Sequence, residues 1–314
     1  MKINELKERD RIKQPLFVVG LVNGTSNSGQ AYLSLTLQDN SGTIEAKLWD
    51  VKDDLAKRLK VGHIVEIEAD VIKYKTSLQL KLQSIEIVNP KNYQLSDFVI
   101  TSSISKDVLI EKTNQYIESI TNEVLSKLVK SYFNEVGSDY YTYPAAAKNH
   151  HEFIGGLATH TLEMLDTATF LCKQYPYLDK DLLISGVLLH DIGKIEEYKS
   201  PMIVEYSTVG KLLGHISIAQ AKLYEIAKSH NLENTEETLL LRHMILSHHG
   251  QYEYGSPVLP MIAEAEALNL IDNLSARMTM FEKHLQTVDK GEFSSRVFSL
   301  EGRSVYRHQE EFEE

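Results

Sequence analysis

The sequence predicts a multidomain α and β protein, with a small five-stranded β-barrel followed by an all-α domain. Three observations predict it. Short segments with two-residue alternation fill the first ninety residues, apolar residues recur at helical spacing from about residue 105, and nine of the twelve histidines lie between His150 and His249. Charge divides at the same place. Residues 1–90 hold 13 Lys and Arg against 12 Asp and Glu, whereas the remaining 224 hold 20 against 32.

The barrel segments follow in order. Leu16–Val22 is apolar and runs into the turn pair Asn23-Gly24. In Ala31–Leu37, Tyr32, Ser34 and Thr36 alternate with Leu33, Leu35 and Leu37, and Asp39-Asn40-Ser41-Gly42 ends the run. Thr43–Trp49 sets Ile44, Ala46 and Leu48 on one face and Glu45, Lys47 and Trp49 on the other. Val51–Leu59 carries Leu55 and Leu59 at helical spacing, and two more alternating segments cover His63–Lys73 and Leu78–Val88. Exposed aromatics that stack bases, beside lysines that follow phosphates, suit single-stranded nucleic acid. Tyr32, Trp49, Lys47, Lys73, Tyr74 and Lys75 are the candidates, against the plainer reading that these rings only cover the barrel.

Asn89-Pro90 stops the last strand, and helical spacing resumes over about 105–135 with Val108, Ile117, Ile120, Val124, Leu125, Leu128 and Val129. The histidines then fall on successive apolar helices. GGLATHTLEML carries His160, and LLISGVLLHDIGK is an almost wholly apolar helix ending in His190-Asp191, with Gly193 as a stop and Lys194 after it. GKLLGHISIAQ puts His215 at the start of another helix. LLLRHMILSHHG ends in His248-His249 after Asn234-x-x-Glu237, which reads as a capping box, and SPVLPMIAEAEALNLIDNLSARM sets Asp272 in mid-helix. A single histidine on an apolar helix is usually a satisfied core residue. Five histidines and two aspartates turned inward on successive helices are a costly core unless they bind cations.

Other classes are excluded. No apolar run approaches the ~20 residues that span a bilayer, and the polar start MKINELKERD is no secretory signal, so a cytoplasmic protein is expected. Cys172 is the only cysteine, which rules out a disulfide framework and a thiolate zinc cluster within one chain. The net charge of −11 argues against a surface that coats nucleic acid throughout.

Five strands with a helix between the third and fourth is the layout of an OB-fold. The run FVVGLV…LTLQDNSGTIEAKLWD resembles the tRNA-anticodon type of that module. The pattern H…HD…H…HH…D, with GGLxxHT, LLHDIGK and IDNL, resembles the HD-domain metal-dependent phosphohydrolases. An N-terminal OB-fold barrel joined to an all-α HD-domain is similar to the YhaM-type 3′-to-5′ exoribonucleases of Gram-positive bacteria, a resemblance that covers nearly the whole chain. The organisation expected is a strand-binding domain over 1–90, a linker and helical connector over 91–140, the phosphohydrolase over 141–300 and an acidic tail over 301–314.

The resemblance implies a first metal site at His160, His190, Asp191 and Asp272, with Asp191 bridging to a second cation held by His215 and His248. Whether His248 or His249 is the ligand stays open. The other, taken as His249, would face the phosphate and protonate the leaving oxygen, and Lys194 would contact the phosphate. Imidazole with carboxylate suits Mn²⁺, Fe²⁺, Co²⁺ or Zn²⁺, and the resemblance favours two Mn²⁺ ions. Such ions, roughly 3.5–4 Å apart, activate a hydroxide for in-line attack. The partner expected is single-stranded RNA, with single-stranded DNA beside it; no membrane is involved, and a homo-oligomer is allowed. Two other functions compete: an HD-type small-nucleotide phosphohydrolase, and a single-strand-binding factor with a vestigial HD site. The barrel speaks against the first and the filled ligand pattern against the second.

Overall fold

The computed structural model describes residues 1–25, 29, 31–49, 53–74, 77–146, 151–202 and 205–309. Lys75, residues 51–52 of the expected short helix and residues 310–314 of the acidic tail lie outside the described residues. The chain forms two compact units, Met1–Thr101 and Ser102–Glu314.

The first unit is a closed barrel of β1 (Arg11–Thr25), β2 (Ala31–Asp39), β3 (Gly42–Trp49), β4 (Ile64–Tyr74) and β5 (Ser77–Ile87), with α1 (Asp53–Arg58) between β3 and β4. The strand order is β1-β2-β3-β5-β4, and only β3 and β5 run parallel. The fifteen-residue β1 closes the barrel because it pairs with β4 along its first half and β2 along its second. A register shift between Val18 and Gly20 marks where it turns from one partner to the other. Two-residue alternation sends Leu33, Leu35 and Leu37 inward from β2 and Ile44, Ala46 and Leu48 inward from β3, where Leu16, Val65, Ile67 and Leu80 meet them. Each such buried aliphatic side chain contributes about 1.5–3 kcal/mol over leaving it exposed.

The second unit is helical: α2 (Lys106–Glu118), α3 (Glu123–Val136), α4 (Gly156–Gln174), α5 (Lys180–Leu189), α6 (Lys194–Glu197), α7 (Thr208–Ser229), α8 (Glu236–Ser247) and α9 (Ala263–Leu285). The helical spacing over 105–135 resolves into two helices. Asn122 ends the continuity, its Oδ1 accepting the N–H groups of Val124 and Leu125 as the cap of α3, while Asp181 accepts the N–H groups of Thr121 and Asn122. Leu109 and Ile117 of α2 and Leu125, Leu128 and Val129 of α3 join the same core as Leu157, Leu183 and Leu268. The cap of α8 is Thr235, one residue beyond the expected Asn234, because Thr235 Oγ1 accepts the Thr238 N–H. Met280 of α9 forms a small apolar cluster with Val297, Leu300 and Val305 from the chain that follows. Among the described residues no helix is long and apolar enough to cross a membrane.

Candidate metal centre and strand-binding face

The α5 helix explains the centre. Asp179 caps its start, Leu182–Leu189 are all buried, and the chain delivers His190 and Asp191 at its end into the middle of the helical unit with 0% and 2% exposure. A carboxylate so buried is costly unless cations or donors surround it. α4 brings His160, α6 brings Lys194, α7 brings His215, the end of α8 brings His248 and His249, and α9 brings Asp272. Every residue expected of the metal centre therefore converges.

The donors form two groups, each with ligand atoms within 4.8 Å of one another: His160, His190 and Asp272; and Asp191, His215, His248 and His249. Asp191 lies between them. Its Oδ2 is 3.3 Å from His190 Nε2 and 2.5 Å from Lys194 Nζ, and its Oδ1 is 3.4 Å from His215 Nε2 and 3.7 Å from His248 Nε2. His249 stands in the same group as His248, their rings 4.2 Å apart, so the geometry brings both histidines to Asp191.

Each ring is held from behind through Nδ1. His190, His248 and His249 face the carbonyls of Val187, Ile245 and Tyr254 at 2.8, 2.8 and 2.6 Å, and a carbonyl only accepts. His215 Nδ1 faces the Glu197 carboxylate at 3.0 Å. His160 Nδ1 faces Ser275 Oγ at 3.0 Å, and because Ser275 donates its one proton to Glu163, the imidazole is the donor there. These partners assign the proton to Nδ1 and leave Nε2 aimed at the centre. Burial holds His160 below its ordinary pKa; burial and the neighbouring His249 hold His248 well below; burial and His215 lower His249. Burial opposes the charging of His190 too, but the Asp191 carboxylate beside it wins and raises it.

Burial alone would raise the two aspartates. The Lys194 ammonium and His190 instead hold Asp191 well below the usual carboxylate range, and His160, whose Nε2 lies 3.1 Å away, together with His190 holds Asp272 low. The centre thus sets ionised carboxylates against imidazole lone pairs. Nε2 of His190, His215 and His248 and Oδ1 of Asp191 are buried without a hydrogen-bond partner. Such atoms are destabilising if left bare, and a cation between them satisfies both kinds of donor. The residues fit a divalent metal.

Glu163, Ser275 and Glu197 do not stand out in the sequence. Ser275 lies three residues after Asp272 and Glu163 three after His160, one helical turn in each case, so spacing held a signal. Nothing in the sequence separates Glu197 from Glu196.

On the barrel, Tyr32 pairs with Trp49 across β2 and β3, their rings 4.9 Å apart, and Lys47 Nζ lies 5.1 Å from the Tyr32 ring centre and 5.7 Å from that of Tyr74. Trp49 is 36% exposed and Tyr74 55%. Four of the six expected residues form one cationic and aromatic cluster. Lys73 is exposed but precedes Tyr74 on β4, so alternation sends it to the opposite face, and Lys75 lies outside the described residues.

Comparison with known proteins agrees with both halves. Residues 17–88 match the family model of the tRNA anticodon type, described as an OB-fold nucleic acid binding domain, and residues 157–277 match the HD domain. Among solved structures, the second OB-fold domain of replication protein A from Methanococcus maripaludis is 26% identical, covering 28% of this chain and 94% of that chain with a TM-score of 0.24. The replication factor A related protein from Methanobacterium thermoautotrophicum is 15% identical over 29% of this chain and 91% of that one, TM-score 0.23. PriB from Ralstonia solanacearum is 16% identical over 25% and 97%, TM-score 0.22. The chain carries an OB-fold nucleic acid binding domain and an HD domain, and the HD domain indicates a metal-dependent phosphohydrolase.

Proposed function

We propose that the protein is a metal-dependent 3′-to-5′ exoribonuclease that shortens single-stranded RNA and releases nucleoside 5′-monophosphates. One observation carries the reading: a single chain joins a strand-binding barrel, with Tyr32, Trp49, Lys47 and Tyr74 clustered on it, to a buried centre of two donor groups, where Asp191 of one lies 3.3 Å from His190 of the other. A small-nucleotide phosphohydrolase has no use for the barrel.

His160, His190 and Asp272 would hold one cation, and Asp191, His215 and His248 or His249 the other, with Mn²⁺ the best match to this donor mixture. Bound there, the ions supply an activated water for attack on phosphorus and positive charge for the phosphoryl oxygens. The protein's own groups do the rest. Lys194, buried beside Asp191, offers an ammonium to a phosphoryl oxygen. Whichever of His248 and His249 is not a ligand would face the phosphate, and a proton taken up on its Nε2 would pass to the departing 3′ oxygen. The barrel holds the strand upstream by stacking and phosphate contacts.

The test is degradation of 5′-labelled single-stranded RNA and DNA with and without Mn²⁺. Expected is a ladder that shortens from the 3′ end only with Mn²⁺, 5′-monophosphates as products, and protection by a 3′ block. Intact strands alongside hydrolysed free nucleotides would overturn the reading.

A further inference from the structure

Of the three histidines grouped with Asp191, His215 is the one whose Nδ1 faces a carboxylate, whereas His248 and His249 face carbonyls. Glu197, 5% exposed, accepts both the His215 backbone N–H at 2.9 Å and its Nδ1–H at 3.0 Å, on the same Oε1. The chain makes a special arrangement for it. Gly214 adopts φ 71 and ψ 154, which breaks α7 immediately before His215 and turns that N–H out of the helical ladder towards Glu197. A positive φ of this kind suits glycine. Two N–H groups converging on one oxygen are the arrangement a carboxylate accepts best.

Carbonyls suffice behind His190, His248 and His249, so an anion behind His215 needs a reason. Lys194 supplies one. Its ammonium lies 2.5 Å from Asp191, the only carboxylate among the four donors of that group, and offsets its charge. Three neutral imidazoles and a carboxylate already paired with an ammonium leave the group little negative charge to set against a divalent ion. We propose that Glu197 is a positioning residue that restores this charge through His215, and so lets the Asp191, His215, His248 and His249 group bind its cation. The inference rests on the two donor groups being cation sites and goes beyond it by explaining why Lys194 and a divalent ion can share Asp191.

The test uses the full-length protein, Mn²⁺ titration by calorimetry, bound-metal analysis, and nitrogen NMR of the histidine rings in the metal-free protein. Glu197→Gln keeps an acceptor oxygen and the shape, so His215 should keep its proton on Nδ1 while one of two Mn²⁺ ions binds about 10- to 100-fold more weakly. Adding Lys194→Met should recover most of that loss, because it removes the offsetting charge; a merely structural glutamate would gain nothing. Glu197→Ala should lose the same ion and let the His215 proton move between nitrogens. Wild-type Mn²⁺ affinity in Glu197→Gln, no recovery in the double variant, or an unchanged His215 ring in Glu197→Ala would each overturn the proposal. A wild-type protein that binds no Mn²⁺ would overturn the cation reading, and with it this one.

Discussion

Asp191 touches more of the centre than any other side chain, with Lys194 and His190 at one oxygen and His215 and His248 at the other. Asp191→Ala removes the carboxylate of one donor group and the neighbour of His190 in the other, and strands a buried ammonium. Metal-dependent hydrolysis should fall below detection, while the affinity of the barrel for single strands changes by less than about twofold, since the barrel has its own core. Near-normal turnover would exclude Asp191 from the chemistry. His160, His190, His215, His248, His249 and Asp272 were legible because each is a rare polar residue in an apolar helical run. Glu163, Ser275 and Glu197 were not, because their role is to hold another side chain, and that shows only when helices distant in sequence meet. Chelation probes the whole set. Ions bound only to the folded form at 100 times Kd stabilise it by about 2.7 kcal/mol, so removing them should lower the Tm of the helical unit by about 5–10 °C. A Tm indifferent to chelator and to Mn²⁺ would mean that the centre holds no tight ion.

Helices place these side chains, and their ends decide how accurately. α5, α6 and α7 meet at Gly193, where an added Cβ would lie 2.2 Å from the His215 carbonyl oxygen. That neighbour is backbone and cannot swing aside, so Gly193→Ala must push α6 from α7. Overpacking of this sort costs about 1–3 kcal/mol, visible in urea unfolding, and it should also cost one bound Mn²⁺ by moving His215. Unchanged stability with two ions retained would show that the contact relaxes freely. The apolar run Leu182–Leu189 and the alternation of β2 and β3 were plain from the sequence, since period and burial coincide there. Helix boundaries were less so. The stop between α2 and α3 depends on Asp181, about sixty residues away in the chain, accepting the Thr121 and Asn122 N–H groups, and the cap of α8 depends on which of two adjacent polar residues reaches the Thr238 N–H.

At the scale of the whole chain, two units with separate cores carry different chemistry, as the charge division between the first ninety residues and the rest suggests. A barrel near electrical balance can meet a polyanion through a local cluster such as Lys47 between Tyr32 and Tyr74, with the Trp49 ring tilted against Tyr32. That division predicts a dissociation of two activities. Replacing Tyr32 and Trp49 by Ala should weaken binding to long single strands by about 1–3 kcal/mol per lost stack, roughly five- to 150-fold each. Lys47→Ala should act on all sequences alike and reduce the slope of log K against log salt by a little under one. Hydrolysis of a small activated phosphodiester should stay within about twofold of wild type in all three variants, because such a substrate needs only the metal centre. With the strand as substrate, the loss should therefore appear in KM while kcat holds. If instead kcat on long RNA falls with KM unchanged, the rings act on the chemical step. If neither moves while strand binding persists, the Tyr32–Trp49 cluster only covers the barrel, and the strand is held elsewhere.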